Sequence, residues 1–70
     1  MDIKKQIGAC LLKGRLAAGI SQEALAKMIG VWPTVYARYE RGEREPPLSV
    51  IIRIAQALKI PLFELLKDIE

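Results

Sequence analysis

The sequence predicts an all-α protein, a compact bundle of five helices in a single domain that covers residues 1–70. Apolar residues recur at the spacing of one helical face in five separate segments. The chain shows no sustained alternation of apolar and polar residues and no Asn-Gly hairpin signal, so no strand is expected. The five segments are also bounded by residue types that are common at helix ends.

The first two helices are predicted over residues 3–18 and 22–29. Asp2 and Ser21 stand immediately before them and have side-chain oxygens that can cap exposed backbone N–H groups. Gly19 and Gly30 follow them, where glycine commonly ends a helix in the left-handed conformation. The residues expected to face the core are Ile3, Ile7, Cys10, Leu11 and Leu16 in the first helix and Leu25, Met28 and Ile29 in the second.

A third helix is predicted over residues 33–41, directly after a tight turn at residues 30–32. Pro33 suits the first position of a helix, because the N–H that proline lacks would have no partner there. The residue before a proline, here Trp32, is pushed towards an extended conformation, which is what the position before a helix requires. Gly42 ends the helix. The Trp32-Pro33 pair therefore predicts both the end of the turn and the start of the third helix.

Two further helices are predicted after a polar loop at residues 42–47. The fourth covers residues 48–59 and is broken by Pro61, and a short fifth helix follows. Phe63 and Ile69 are apolar but left over, so they form either a self-association surface, with Val50 and Ile52 as further members, or a cap on the small core. The residues expected to face the core are Leu48, Ile51, Ile54, Ala55 and Leu58 in the fourth helix and Leu62, Leu65 and Leu66 in the fifth.

The composition argues against several kinds of site. The chain has no histidine and one cysteine, Cys10, which excludes an internal disulfide and a zinc site of the usual ligands. It has no glycine-rich phosphate loop and no spacing that suggests a nucleophile with its base, so we expect no enzyme, no cofactor and no metal. No apolar run approaches the roughly 18 residues that span a bilayer. We therefore expect a cytoplasmic protein with no membrane partner.

Positive charge is concentrated in one part of the chain. Residues 1–44 contain eight lysines and arginines against four carboxylates, whereas residues 45–70 contain three against four. An ordinary solvated surface is one interpretation. The other is that the first part faces a polyanion while the second is closer to neutral and apolar.

Residues 22–41 have the organisation of a helix-turn-helix. In that motif the second helix enters the major groove of double-stranded DNA, N-terminal end first. The third predicted helix is suited to this role, because Thr34, Ala37 and Arg38 lie on one side while Tyr36 and Tyr39 lie on the other and can pack. The arginines expected near the phosphates are Arg41 and Arg44.

The segments SQEALAKMIGV (21–31) and RYERGEREP (38–46) resemble the Xre family of phage-repressor-like helix-turn-helix domains. The Ile-Gly pair at residues 7–8 and the tail LSVIIRIAQALKIPLFELL (48–66) extend the resemblance over nearly the whole chain. It implies a compact five-helix bundle that binds operator DNA, usually as a dimer. With the helix-turn-helix spacing and the basic first part of the chain, it leads to the hypothesis of a small repressor that binds a pseudo-palindromic operator as a homodimer.

The resemblance also implies roles for individual residues. Arg15 and Glu40 correspond to a structural ion pair between the first and third helices. Gln22 corresponds to a phosphate contact at the start of the second helix, and Arg41 and Arg44 to positions near the DNA backbone. The residues that match base-reading or groove-lining positions are Trp32, Pro33, Thr34 and Arg38.

Trp32 and Pro33 depart from the family, which usually has polar residues at these two positions. Direct reading of bases would then rest mainly on Thr34 and Arg38. Trp32 itself has three interpretations: partial core, contact with DNA sugar, phosphate or a thymine methyl group, or part of a protein-binding patch. The departure motivates a second functional hypothesis, a protein-interaction module such as an antitoxin or accessory subunit that binds a protein partner.

Overall fold

The computed structural model describes residues 2–70 and contains five helices in that range, with no strand. The helices are α1 (Ile3–Ala18), α2 (Gln22–Ile29), α3 (Pro33–Arg41), α4 (Leu48–Leu58) and α5 (Leu62–Leu66). The all-α prediction is confirmed, and only α4 ends earlier than expected, by one residue.

The predicted helix-end chemistry is present at both ends of α1 and α2. The side chain of Asp2 accepts a hydrogen bond from Lys4 N at 3.0 Å, and that of Ser21 accepts one from Ala24 N at 3.0 Å. Gly30 has a φ of 75°, a conformation that glycine adopts without the steric cost paid by other residues. It reverses the chain between α2 and α3, so the motif depends on it.

Lys59 ends α4 in a way that the sequence does not signal. It is the only non-glycine with positive φ among the described residues, at 59°. Its backbone N–H donates to the carbonyls of Ala55 and Gln56 in the last turn of the helix. A left-handed conformation costs a residue with a Cβ roughly 1 kcal/mol or more. Lys59 lies two residues before Pro61, which directly precedes α5.

The helices pack around one core, with α1 along α3, α2 against α3 and α4, and α5 against α1 and α4. The first and third helices approach closely at Gly8, where an added Cβ would lie only 2.5 Å from the carbonyl oxygens of Tyr39 and Glu40. Only glycine allows the backbones of α1 and α3 to meet so closely. The largest fully buried side chains are Leu11, Leu25, Tyr36 and Ile54.

The two tyrosines of α3 are core residues, as predicted. Tyr36 and Tyr39 are buried, and their rings meet edge to face with centroids 6.3 Å apart. This arrangement is favoured by the charge distribution of aromatic rings. It leaves neither ring available for stacking on a base.

Four residues predicted to face the core are instead exposed: Ile3, Leu16, Met28 and Leu48. Each lies in the first or last turn of its helix, where no neighbouring helix covers it. The prediction for Val50 is wrong in the opposite sense: it was expected on a self-association surface, but it is buried. Periodicity identifies the inward face of a helix but not how much of its length is covered.

Four side-chain hydrogen bonds converge on the carboxylate of Glu40 and join α1, α2 and α3. Arg15 donates from Nε at 2.7 Å and from Nη2 at 3.1 Å, Gln22 donates from Nε2 at 2.8 Å, and the Tyr36 hydroxyl donates at 2.6 Å. Arg15 also donates from Nη1 to the carbonyl of Ile20 at 2.9 Å. We call these four side chains, Arg15, Gln22, Tyr36 and Glu40, the Glu40 network.

The network is a buried ion pair with its polar atoms satisfied. The Arg15 side chain is 11% exposed and that of Glu40 is 4% exposed. Burial alone would raise the pKa of Glu40, but the hydrogen bonds from Arg15, Tyr36 and Gln22 outweigh burial and lower that pKa. Burial and the hydrogen bond to Glu40 raise the pKa of Tyr36, so its hydroxyl remains a donor.

We expect Arg15→Met to destabilise the fold by about 3 kcal/mol, because it leaves a buried carboxylate without its counter-charge. Urea denaturation checks this prediction. The matched control is Lys13→Met, which removes an exposed ion pair to Asp68 and should cost less than about 1 kcal/mol. Equal losses in both variants would contradict the role given to the network.

Acid should destabilise the protein through Glu40. Because its pKa is lower in the folded state than its ordinary value of 4.5, the unfolded chain binds protons more readily as the pH falls. The contribution of ionised Glu40 to the free energy of unfolding is complete above pH 4.5 and is lost as the pH falls through the pKa of the folded state. Urea unfolding measured at several pH values should show a shallower acid loss in Glu40→Gln than in the native protein. Glu43→Gln, at an exposed carboxylate, should keep most of the native slope.

Candidate nucleic-acid interface

The turn before α3 fixes how this helix leaves the bundle. Trp32 is extended, with φ −62° and ψ 138°, and Pro33 takes the first helical position as predicted. Val31 N donates to the carbonyl of Ala26 at 3.0 Å, and Tyr36 N donates to that of Trp32 at 2.9 Å. No side chain caps α3. Pro33 has no N–H, so the backbone N–H groups of Thr34 and Val35 are the ones in the first turn that have no partner within the helix and are available to a ligand.

The two sides of α3 have separate roles. Tyr36 and Tyr39 face the core, while Thr34, Arg38 and Arg41 are exposed and recur at a spacing of four and then three residues. That spacing places the three exposed side chains on one face of a helix. No described part of the chain covers this face. We call these three residues the outward face of α3.

Trp32 and Pro33 stand exposed at the N-terminal end of the outward face. The indole of Trp32 is 78% exposed, so its interpretation as partial core is wrong. On its α2 side the indole borders an open groove of about 640 Å³. The residues that line the groove are Glu23, Ala24, Ala26, Lys27, Gly30, Val31, Trp32 and Pro33.

Three arginines follow along α3 and the loop after it. Arg41 forms an exposed ion pair with Glu43, through Nε at 2.9 Å and Nη2 at 3.2 Å. Arg38 and Arg44 are exposed, and neither takes part in an ion pair with the residues that the structure describes. Arg38 and Arg44 thus present free positive charge, whereas the charge of Arg41 is partly compensated.

Gln22 occupies the first position of α2 but is tied to the Glu40 network. It is half-buried, and its amide nitrogen donates to Glu40 Oε1 at 2.8 Å. An amide has a second N–H, so this bond leaves one donor for another acceptor. Sequence reasoning did not predict this contact, because the two residues are 18 positions apart.

Arg53 is a positioning residue that sequence reasoning missed. Its guanidinium, on α4, donates from Nη1 to the carbonyl of Ile29 at 3.3 Å. Ile29 is the last residue of α2, so this bond connects α4 to the beginning of the turn. A separation of 24 positions leaves no local signal for it.

The self-association candidates differ in exposure. Phe63 is 81% exposed on α5, whereas Ile69 is half-buried and packs against the core. Ile52 is exposed on α4. Phe63 is therefore the most exposed large apolar residue outside the helix-turn-helix.

In the described part of the chain no helix is both long and apolar enough to cross a membrane.

Comparisons with known proteins agree with this architecture. A sequence model of the helix-turn-helix family matches residues 11–65. The chain is 34% identical over 56 residues to RstR, the cryptic phage CTXphi transcriptional repressor of Vibrio cholerae. That match covers 80% of this chain and 50% of RstR, so the chain spans about half the length of this relative.

Two solved structures share the fold. The restriction-modification controller protein C.AhdI from Aeromonas hydrophila matches with a TM-score of 0.86 and 35% identity, over 93% of this chain and 98% of C.AhdI. The clp gene regulator ClgR from Corynebacterium glutamicum matches with a TM-score of 0.88 and 25% identity, over 91% of this chain and 68% of ClgR. Together with the family match over residues 11–65, these likenesses show that the chain belongs to the helix-turn-helix family, in its Xre-like branch.

Proposed function

We propose that this protein is a sequence-specific DNA-binding transcriptional regulator, a small cytoplasmic repressor that binds a pseudo-palindromic operator as a homodimer. The observation that carries the proposal is the uncovered outward face of α3, which bears two exposed arginines and is followed by a third, Arg44. A helix of this width fits the major groove of B-DNA, which is about 12 Å wide. The similarity to RstR, a transcriptional repressor, supports the same function.

Within this proposal the exposed residues divide into base readers and phosphate contacts. Arg38 reads a guanine, since its guanidinium is free to donate twice to the O6 and N7 acceptors of that base. Thr34, Trp32 and Pro33 face the neighbouring base pairs. Arg44 and Arg41 bind phosphates, and Arg41 does so in competition with Glu43.

Gln22 contributes to the phosphate contacts through its remaining amide N–H. Its bond to Glu40 fixes the side chain at the N-terminus of α2, where backbone N–H groups and the helix dipole favour an anion. The ion pair of Arg15 and Glu40 keeps α1 and α3 together and so acts on DNA binding indirectly.

Binding to operator DNA isolated by sequence selection tests the proposal. Arg38→Ala should lose discrimination at one base pair, worth about 1–3 kcal/mol. Arg41→Ala should weaken binding to all DNA sequences alike. It should also reduce the slope of log affinity against log salt concentration by about one. Fluorescence anisotropy at several salt concentrations measures both effects.

The Lys13→Met variant controls for the loss of a positive charge elsewhere, because Lys13 lies on α1 and pairs with Asp68. It should change neither base preference nor salt slope. Binding that stays constant between low and moderate salt would contradict the proposed phosphate contacts. Indistinguishable effects of Arg38→Ala and Arg41→Ala would contradict the division of roles.

We further propose that α5 supplies the dimer contact, centred on Phe63. A large aromatic side chain left 81% exposed is a candidate for burial against a second copy. A two-fold dimer would present two copies of α3 to two half-sites of one operator. Ile69, half-buried beside the core, contributes at most the margin of such a contact.

Replacing Phe63 with glutamate should convert a dimer to a monomer and weaken operator binding, because a charge cannot be buried unpaired at the contact. Sedimentation equilibrium measures the mass, against 7.8 kDa for one chain. The matched control is Leu16→Glu, at an exposed leucine on α1, which should leave the mass unchanged. A dimer that survives Phe63→Glu would place the contact elsewhere.

A protein-interaction module is the second candidate function. The observation that favours it is the groove beside Trp32, since exposed tryptophan is often a dominant residue in protein interfaces. Under this alternative a purified complex with a protein partner would retain no DNA. A partner that protects Trp32 from quenching, while operator DNA does not, would favour it over the regulator.

A further inference from the structure

The surface at the start of α3 is apolar where a DNA-reading surface is normally polar. The exposed pair Trp32 and Pro33 offers a single side-chain hydrogen-bond donor, the indole N–H, and no acceptor. Pro33 also lacks a backbone N–H. This pair therefore cannot match the array of donors and acceptors that base edges present.

We propose that Trp32, supported by Pro33, recognises the 5-methyl group of a thymine in the operator. The inference rests on the proposed function, which it extends from DNA in general to one chemical group. The thymine methyl is the one methyl group that the four bases expose in the major groove, and apolar side chains contact it. The nitrogen and oxygen groups of the base edges there are donors or acceptors that an indole face would leave unpaired.

The structure fixes the backbone of the pair, which favours a contact of this kind. Proline limits the backbone at residue 33, and Trp32 O accepts the first helical hydrogen bond from Tyr36 N at 2.9 Å. Arg53 secures the preceding end of α2 through its bond to Ile29 O. Little conformational freedom in the backbone is then lost when the indole meets a methyl group.

The position of the pair predicts how the operator is ordered. Trp32 stands at the N-terminal end of α3, and Arg38 lies on the outward face more than one turn further along. A thymine read at one end of the helix and a guanine read by Arg38 would thus be separate positions in one half-site. Thr34 lies between them and carries a methyl group of its own.

Replacing operator thymines one at a time with deoxyuridine, which lacks only the methyl group, tests the inference. We expect one or two positions in each half-site to lose about three- to fivefold in affinity, the effect of leaving one methyl unburied. At such a position, 5-methylcytosine paired with guanine should bind more tightly than cytosine paired with guanine. Fluorescence anisotropy with the 70-residue chain and the selected operator measures both affinities.

The Trp32→Ala variant links the effect to the residue. Its side chain is exposed, so the variant should fold, as circular dichroism will show, and the deoxyuridine effect should disappear in it. Leu16→Ala, which removes an exposed leucine from α1, should keep the effect. A deoxyuridine effect that persists undiminished in Trp32→Ala would assign the methyl contact to another residue and overturn the inference.

The possible failures are distinct. If specific DNA is selected but each deoxyuridine substitution changes affinity by less than about twofold, the methyl contact is wrong and the regulator proposal stands. If selection recovers no preferred sequence, the proposed function fails, and this inference fails with it.

Discussion

The carboxylate of Glu40 is the point on which three helices depend. A negative charge that is only 4% exposed is tolerable because four hydrogen bonds, two of them from a guanidinium, replace the water it has lost. Its donors lie on α1, α2 and α3, so one charged group fixes three elements relative to each other. Gly8 makes this possible by allowing the backbones of α1 and α3 to touch. The orientation of α3 on the bundle follows from these two constraints.

The Glu40 network is also connected to the surface proposed to bind DNA. Gln22 belongs to the network and also stands at the start of α2, while Glu40 and Tyr36 belong to the helix whose opposite side is uncovered. Arg53 acts in a comparable way from α4, by bonding the carbonyl that closes α2. Arg15 and Arg53 thus both hold helices in place, but their charges differ in effect. The charge of Arg15 is compensated by Glu40, whereas Arg53 is exposed and contributes, with the outward arginines, to the field that a polyanion meets.

Local chemistry predicted more of this molecule than long-range contacts did. Asp2, Ser21, Gly30 and Pro33 act on backbone groups within a few residues of themselves, so their roles could be inferred from neighbours in sequence. The bond from Gln22 to Glu40 and that from Arg53 to Ile29 join distant positions, and only the packed bundle brings them together. The prediction that apolar residues at helix ends, such as Leu16 and Leu48, face the core failed for a related reason. A chain of 70 residues has too few helices to cover every turn. The left-handed Lys59 had no signal at all, because lysine has no preference for that conformation.

The division of α3 into two sides has an evolutionary consequence. Tyr36 and Tyr39 are buried and contribute to stability, whereas Thr34 and Arg38 are exposed to solvent. Mutations of the second pair are thus nearly free of folding cost, since surface substitutions typically change stability by less than about 0.5 kcal/mol. A lineage built on this scaffold can exchange one recognition specificity for another by single steps, each passing through a folded intermediate.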